Sequence, residues 1–208
     1  MKQEGGAVDA RLDVSRETEQ RLREYLALLR RWNARINLVA DAPETEHWRR
    51  HVVDSAQLAP LLPAQPGPLV DLGSGGGLPG LVLALVTGRE THLIESDRRK
   101  AAFLLEAARH LGLGTVTVHP LRIEHARPPP AMVLTARALA PLADLMPHAR
   151  RLLAPGGVAL FPKGRSAESE LTAVSPDWTM RVERFPSRTE PAATILRLTE
   201  IRPATAPA

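Results

Sequence analysis

At 208 residues the chain has the length of one ordinary domain, with room for a real core and a small appendage. No run approaches the ~18 apolar residues of a membrane span, and the polar start Met1-Lys2-Gln3-Glu4-Gly5-Gly6 lacks a signal peptide's apolar centre, so no membrane partner and a cytoplasmic location are expected. The absence of cysteine excludes disulfides, thiolate metal sites and cysteine nucleophiles; 27 basic against 23 acidic side chains, net +4, is compatible with a polyanionic partner without demanding one.

Residues 1–12 read as a loose polar leader. From Ser15, an N-cap candidate, Leu22, Tyr25, Leu26, Leu29 and Trp32 recur at three- and four-residue spacing, predicting an amphipathic helix with Arg16, Glu17, Arg23, Glu24, Arg30 and Arg31 on its outer face. The stretch Trp32-Asn33-Ala34-Arg35-Ile36-Asn37-Leu38 follows, then a turn at Pro43 and a second helix through Trp48–Ser55, with Trp48, Val52, Ser55 and Leu58 or Ala59 inward. His51, Asp54 and Ser55 are not a catalytic triad: residues three and four apart on one helix do not line up base and nucleophile, and no nucleophile elbow is nearby. Pro60 and the run Pro63-Ala64-Gln65-Pro66-Gly67-Pro68 close this helical preface.

Next comes Leu69-Val70-Asp71-Leu72-Gly73-Ser74-Gly75-Gly76-Gly77-Leu78-Pro79-Gly80. Apolar residues run into Asp71, four glycines fall within five positions, and an apolar helical pattern begins at Leu81. That order predicts a buried strand, a tight turn and a helix start, the layout of a nucleotide-type cofactor site. Glycines belong there because the backbone must take positive φ and a Cβ would block a ligand pressed on the chain. Two registers are open at this point: Asp71-x-Gly73-x-Gly75-x-Gly77, associated with S-adenosyl-L-methionine (AdoMet), and Gly75-x-Gly77-x-x-Gly80, the dinucleotide form.

Beyond it, strands and helices alternate. Pro79 suits a first helical turn and Thr87-Gly88 a helix end. Thr91–Glu95 predicts a second strand, with Glu95 24 positions after Asp71. Asp97 caps a helix with Ala101, Leu104, Leu105, Ala108 and Leu111 on one face and Gly112 as its stop. Further strands are expected at Thr115–Val118 and Ala131–Thr135, a helix at Leu142–Leu153, a turn at Ala154-Pro155-Gly156-Gly157 and a strand at Val158–Phe161. Met180–Phe185 and Thr194–Leu198 predict a late hairpin.

The expected fold is therefore α/β, a Rossmann-like, mostly parallel sheet with helices on both faces, a late antiparallel hairpin and an N-terminal helical extension. The expected division is 1–66 for the extension packed on the core, 67–201 for the sheet domain and 202–208 for a disordered tail. In such a fold the strands' C-terminal ends share one ligand-binding edge. There the glycine loop takes the amino-acid end of a cofactor, Glu95 accepts from both ribose hydroxyls, and Ile123-Glu124 hold the adenine. Asp71 orders the glycine loop or reaches the cofactor's cation through water. AdoMet suits this set better than NAD, because a pyrophosphate disfavours an acidic residue at the head of the loop.

These residues resemble the RsmG/GidB methyltransferases, which modify a guanine at N7 in bacterial small-subunit ribosomal RNA. The likeness runs from about Arg21 to Leu198. It is carried by Trp32-Asn33 with Asn37-Leu38, Arg50-His51-Val52-Val53-Asp54-Ser55, the Asp71–Gly80 loop with its Leu-Pro-Gly ending, Arg99-Lys100 with Phe103-Leu104, Ile123-Glu124, Ala136-Arg137-Ala138 and Lys163-Gly164. The resemblance implies AdoMet contacts at Gly73, Leu78, Ile123, Glu124 and Arg137, with Asp71 and Gly75 in the same loop and Glu95 on the ribose side. It also implies S-adenosylhomocysteine as product, and as partner 16S rRNA or an assembling small ribosomal subunit. Glu95 stands where many members carry Asp. No residue is assigned as catalytic, since guanine N7 has a free lone pair and needs no general base; Arg137 and Lys163 are positioning candidates, Arg137 for guanine O6 or the AdoMet carboxylate and Lys163 for a phosphate. Arg30, Arg31, Arg49, Arg50, Arg98, Arg99 and Lys100 are candidates for an RNA-facing rim. No metal is expected, and a monomer is. The rival readings are a methyltransferase for another RNA or a small molecule, an NAD-dependent oxidoreductase, and an RNA-binding protein with a vestigial site; the single tyrosine, Tyr25, lies away from the glycine motif and does not favour the oxidoreductase.

Overall fold

Ser15 starts the first helix, as its hydroxyl suggests. In the computed structural model, which describes residues 12–40 and 42–204, that hydroxyl accepts the Thr18 N–H and α1 (Arg16–Asn33) follows. Residues 1–11 of the expected leader and 205–208 of the expected tail lie outside the described residues. Leu22, Tyr25, Leu26 and Leu29 are buried along the predicted stripe. Asn33 Oδ1 then accepts the N–H groups of Leu38 and Val39 and ties off the turn. After α2 (Glu44–His47) the chain winds one π-helical turn, Trp48–Val53, before α3 (Asp54–Ala56). The helix expected at Trp48–Ser55 is present but wider in its middle, so His51, Val52 and Val53 are all buried.

The sheet has the order β3-β2-β1-β4-β5-β7-β6. Its members are β1 (Leu69–Leu72), β2 (Thr91–Ile94), β3 (Val116–His119), β4 (Ala131–Ala136), β5 (Leu153–Lys163), β6 (Trp178–Pro186) and β7 (Thr194–Pro203). The first five are parallel and β7 pairs antiparallel with both β5 and β6, which is the expected late hairpin. β1 and β4 are buried along their whole length, as strands covered on both faces must be. Side chains alternate between the layers. Leu93 packs with α1, α4 (Gly80–Thr87) and α5 (Arg98–His110), while Ile94 packs with α6 (Leu142–Leu152) and α7 (Ala167–Val174). Strand order reverses between β1 and β4, so the crevice at that point is where a ligand is expected. Among the described residues no helix is long and apolar enough to cross a membrane.

Four sequence expectations need correction. Leu105 does not share the buried face of α5: it is 54% exposed, and Phe103 and Ala107 take the interior. At four residues past Ala101 it falls on the stripe's solvent edge. Arg202 and Pro203, expected in a disordered tail, end β7 opposite Thr179 and Trp178. Proline is tolerated there because a strand end need not donate to the ladder. Helix α7 was not expected. Finally, Ala154–Gly157 is not a turn before a strand but an irregular stretch inside β5, with Gly157 so close to the Ala131 carbonyl that a Cβ would lie 2.6 Å from it.

Candidate active site

The glycine loop is held from below and behind. Asp71, fully buried at the end of β1, accepts Thr135 Oγ1 at 2.7 Å and the Gly80 N–H at 3.3 Å. Burial pushes its carboxyl up to about 6, opposed by the hydrogen bonds from Thr135, Ser74 and Gly80. A Cβ at Gly80 would sit 2.4 Å from Leu93 and 2.8 Å from Asp71 Oδ2, so only glycine lets α4 start against that carboxylate. Gly73, Gly75 and Gly77 take φ of 59°, 53° and 82°. Behind the loop, Tyr25, expected to lie away from the glycine motif, instead donates its hydroxyl to the Gly76 carbonyl because α1 packs across the loop, and Leu29 packs on Gly76. Asp71 therefore orders the loop. Its side chain is fully buried, with one oxygen given to Thr135 and the other to the Gly80 N–H.

The front of the loop is open at Gly75, where an added Cβ would meet nothing nearer than the Gly73 carbonyl at 3.8 Å. Glu95, just past β2, lies against it: Oε2 accepts the Gly75 N–H and Oε1 the Asp97 N–H, both at 2.8 Å. Each carboxylate oxygen keeps a second acceptor position for a ligand hydroxyl. Leu78 is buried in the α1–α4–α5 core behind the loop. The structure thus gathers Asp71, Gly73, Gly75, Leu78 and Glu95 into one unit. Ile123 and Glu124 stand in the separate loop after β3, Ile123 half-buried and Glu124 exposed, with Arg151 donating to the Ile123 carbonyl at 2.6 Å.

Arg137 and Lys163 end β4 and β5, but neither is a free cation. Arg137 donates to Asp54 Oδ2 at 3.0 Å and to the Arg50 carbonyl at 2.9 Å, tying the helical preface to the sheet. Lys163, 9% exposed, pairs with Glu170 at 2.8 Å and donates to the Ala140 carbonyl. Among the rim candidates, Arg49 and Arg50 are both paired with Glu46. Arg99 stands 74% exposed beside Asp97 at 3.7 Å.

Several site residues escaped the sequence reading. Leu139 rests on Gly73, its Cδ1 2.4 Å from where a Cβ would be, and Ala138 beside it takes φ of 51°. The Ala136–Ala140 loop therefore folds over the crevice where β1 and β4 part. Thr135 and Tyr25 brace the loop, and the helical stretch around Asp54 carries buried polar atoms without hydrogen-bond partners among the described residues: His47 Nδ1, both nitrogens of His51, and Ser55 Oγ. Burial, then the charges of Arg137 and His47, push His51 down to about 4, so its ring is neutral at physiological pH. The sequence signal was the spacing of 47, 51 and 55 along one helix face.

Chemically, this is a cradle of bare backbone beside a carboxylate, at the switch point of a parallel sheet. It fits a ligand with vicinal hydroxyls and a cation. A pyrophosphate would meet the Glu95 carboxylate where it needs donors, because the Gly75 N–H is already taken.

Comparison with known proteins agrees. The family model for GidB, rRNA small subunit methyltransferase G, matches residues 18–194. The chain is 60% identical to a ribosomal RNA small subunit methyltransferase G of Granulibacter bethesdensis, over 90% of this chain and 88% of that one. It is 58% identical to the protein of that name from Rhodospirillum centenum, over 93% and 89%. Among solved structures, a ribosomal protein L11 methylase from Lactobacillus delbrueckii subsp. bulgaricus superposes with a TM-score of 0.60 at 13% identity, covering 77% of this chain and 81% of that one, a likeness of fold.

Proposed function

The chain belongs to the GidB family, rRNA small subunit methyltransferase G, and we propose that it methylates N7 of one guanine in 16S rRNA, using AdoMet and leaving S-adenosylhomocysteine. The observation that carries this reading is Glu95 held against the open face of Gly75. We assign the ribose hydroxyls to Glu95, the ammonium of the amino-acid end to the backbone carbonyls of Gly73 and Gly75, since the Gly75 N–H is given to Glu95, and the adenine to Ile123 and Glu124. Leu78 and Asp71 support the cradle from its buried side, and Arg137 borders the amino-acid end with the N–H groups it does not give to Asp54 and Arg50. We place the enzyme in the cytoplasm as a monomer, acting on the rRNA alone or in an assembling subunit.

AdoMet supplies an activated methyl group. Guanine N7 carries an in-plane lone pair and no proton, so the protein has only to position the base, exclude water and hold the loop still. That demand agrees with the residues present: Asp71 is committed to Thr135 and Gly80, Lys163 to Glu170, and Glu95 to the Gly75 and Asp97 N–H groups.

Two measurements test the reading. Borohydride–aniline treatment cleaves RNA at N7-methylguanine, so rRNA from cells lacking the protein should lose one cleavage product; an unchanged pattern overturns the N7 assignment. Glu95→Gln removes one of two acceptors for backbone N–H groups, and AdoMet affinity by calorimetry should fall about tenfold or more. An unaltered affinity would take Glu95 out of the site.

A further inference from the structure

Beside the glycine loop, on the far side of Leu139, lies a cavity of about 580 Å³. Its walls are the Ala136–Pro141 loop, the end of β5 at Pro162–Gly164, and the β6–β7 connection from Ser187 to Thr194. We infer that this cavity receives the target guanine, turned out of the RNA, and that Glu190 reads the base through its N1–H and N2–H groups. The inference rests on the guanine-methylating function proposed above and adds the pocket and residue that select the base.

Charge singles out Glu190. Three carboxylates line the cavity: Asp54, Glu170 and Glu190. Asp54 is occupied by Arg137, Thr189 and Gln57. Glu170 is occupied by Lys163, Ser166 and the Leu142 N–H. Glu190 accepts a long 3.4 Å bond from the Ala192 N–H and forms no ion pair among the described residues. An exposed carboxylate with Oε2 unoccupied and Oε1 only weakly held matches the paired N–H donors on guanine's Watson–Crick edge. Adenine presents a lone pair at N1 and no amine at C2, so the same carboxylate turns it away.

The sheet sets the orientation. Along its ligand-binding edge the order is the glycine loop after β1, Leu139 after β4, Lys163 at the end of β5, and Thr194, paired with Lys163, at the start of β7. Three strand spacings separate the two extremes, roughly 14 Å. A purine held by Glu190 on one edge points its opposite edge, with N7, back across Leu139 toward Gly73. Leu139, Pro141, Pro162 and Ile195 offer apolar surface to the ring faces. The reader is also held in place before the base arrives. Thr189 Oγ1 donates to Asp54 at 2.6 Å, the Arg188 N–H to Gln57 at 2.7 Å, and Arg49 to the Thr189 carbonyl. Enzymes that act on a base commonly extrude it and read that edge in a fitted pocket.

The test pairs Glu190→Gln with an rRNA whose target guanine, mapped by borohydride–aniline cleavage, is replaced by inosine, which lacks the N2 amine. Methyl transfer is counted as label from AdoMet, and calorimetry with AdoMet checks that the variant is folded. The wild type should lose roughly 10- to 100-fold in kcat/KM on going from guanine to inosine. Glu190→Gln should lose a similar factor on guanine and retain most of its remaining activity on inosine, with AdoMet affinity unaltered. A variant that matches the wild type on guanine, or that still shows the full inosine penalty, overturns the assignment of Glu190 while leaving the N7 function intact. A wild type that makes no N7-methylguanine overturns both.

Discussion

Asp71 illustrates how one buried side chain can set the shape of a loop. Its carboxyl titrates near 6 in the folded chain against an ordinary 3.8, because burial disfavours the charge more than Thr135, Ser74 and Gly80 stabilise it. The folded state thus binds the proton more tightly than the unfolded state, and stability from this group is present below about pH 4 and lost as pH rises to about 6, ~3 kcal/mol in all. Asp71→Asn keeps an acceptor for the Gly80 N–H and can donate to Thr135. Urea titrations from pH 4 to 7 should therefore show the variant gaining on the wild type as pH rises, with AdoMet still bound. Asp71→Ala, which leaves the Gly80 N–H unpaired, should lose that binding; equal affinities in the alanine variant would mean the loop orders itself. Part of this was legible beforehand, since an acidic residue heading a glycine loop pointed to a brace. The choice of Thr135, 64 residues away, was not, because only the pairing of β1 with β4 brings the two together.

At the scale of elements, the helices before residue 57 are joined to the sheet by polar contacts as well as by packing. Arg137 and Asp54, 19% and 18% exposed, pair across 83 residues, and Thr189 and Gln57 complete the carboxylate's partners. Arg137→Ala should destabilise the fold by about 2 kcal/mol, as should Asp54→Asn, and the double variant should cost less than the sum by ~1 kcal/mol. Strict additivity in chemical denaturation would mean the ion pair couples nothing. The alternation of strands and helices was legible because glycine and proline punctuate it, and because the buried strands are short apolar runs. The widened turn at Trp48–Val53 was not, since it changes no residue type and depends on what packs around it. Helix α7 was not either: Ala-Glu-Ser-Glu-Leu-Thr-Ala-Val buries Ala167, Leu171 and Val174 at helical spacing, but only two of the three are large enough to mark an apolar stripe in so short a segment. Leu139 was invisible for a related reason. A leucine in a loop carries no mark of the glycine it covers.

Over the whole molecule, the sheet's reversal between β1 and β4 places the glycine-loop cradle and the 580 Å³ cavity side by side on one edge. RNA must therefore approach that edge, and the charges that steer it must border it. Net charge alone, +4 on 208 residues, is too small to decide where. Pairing decides more: Arg49 and Arg50 share Glu46, whereas Arg35, Arg99 and Lys100 line a shallow cleft with Asn37 and Asp97, two residues beyond Glu95. Arg99 keeps its side chain mostly in solvent, where a phosphate can reach it. Arg99→Glu should lower methylation of small subunits while AdoMet affinity stays at the wild-type value. Arg99→Ala should reduce the slope of log affinity against log salt by about 0.7 to 0.9, the loss of one phosphate contact. Methylation and salt slope both at wild-type values would move the RNA path away from α5, to the β6–β7 side of the cavity.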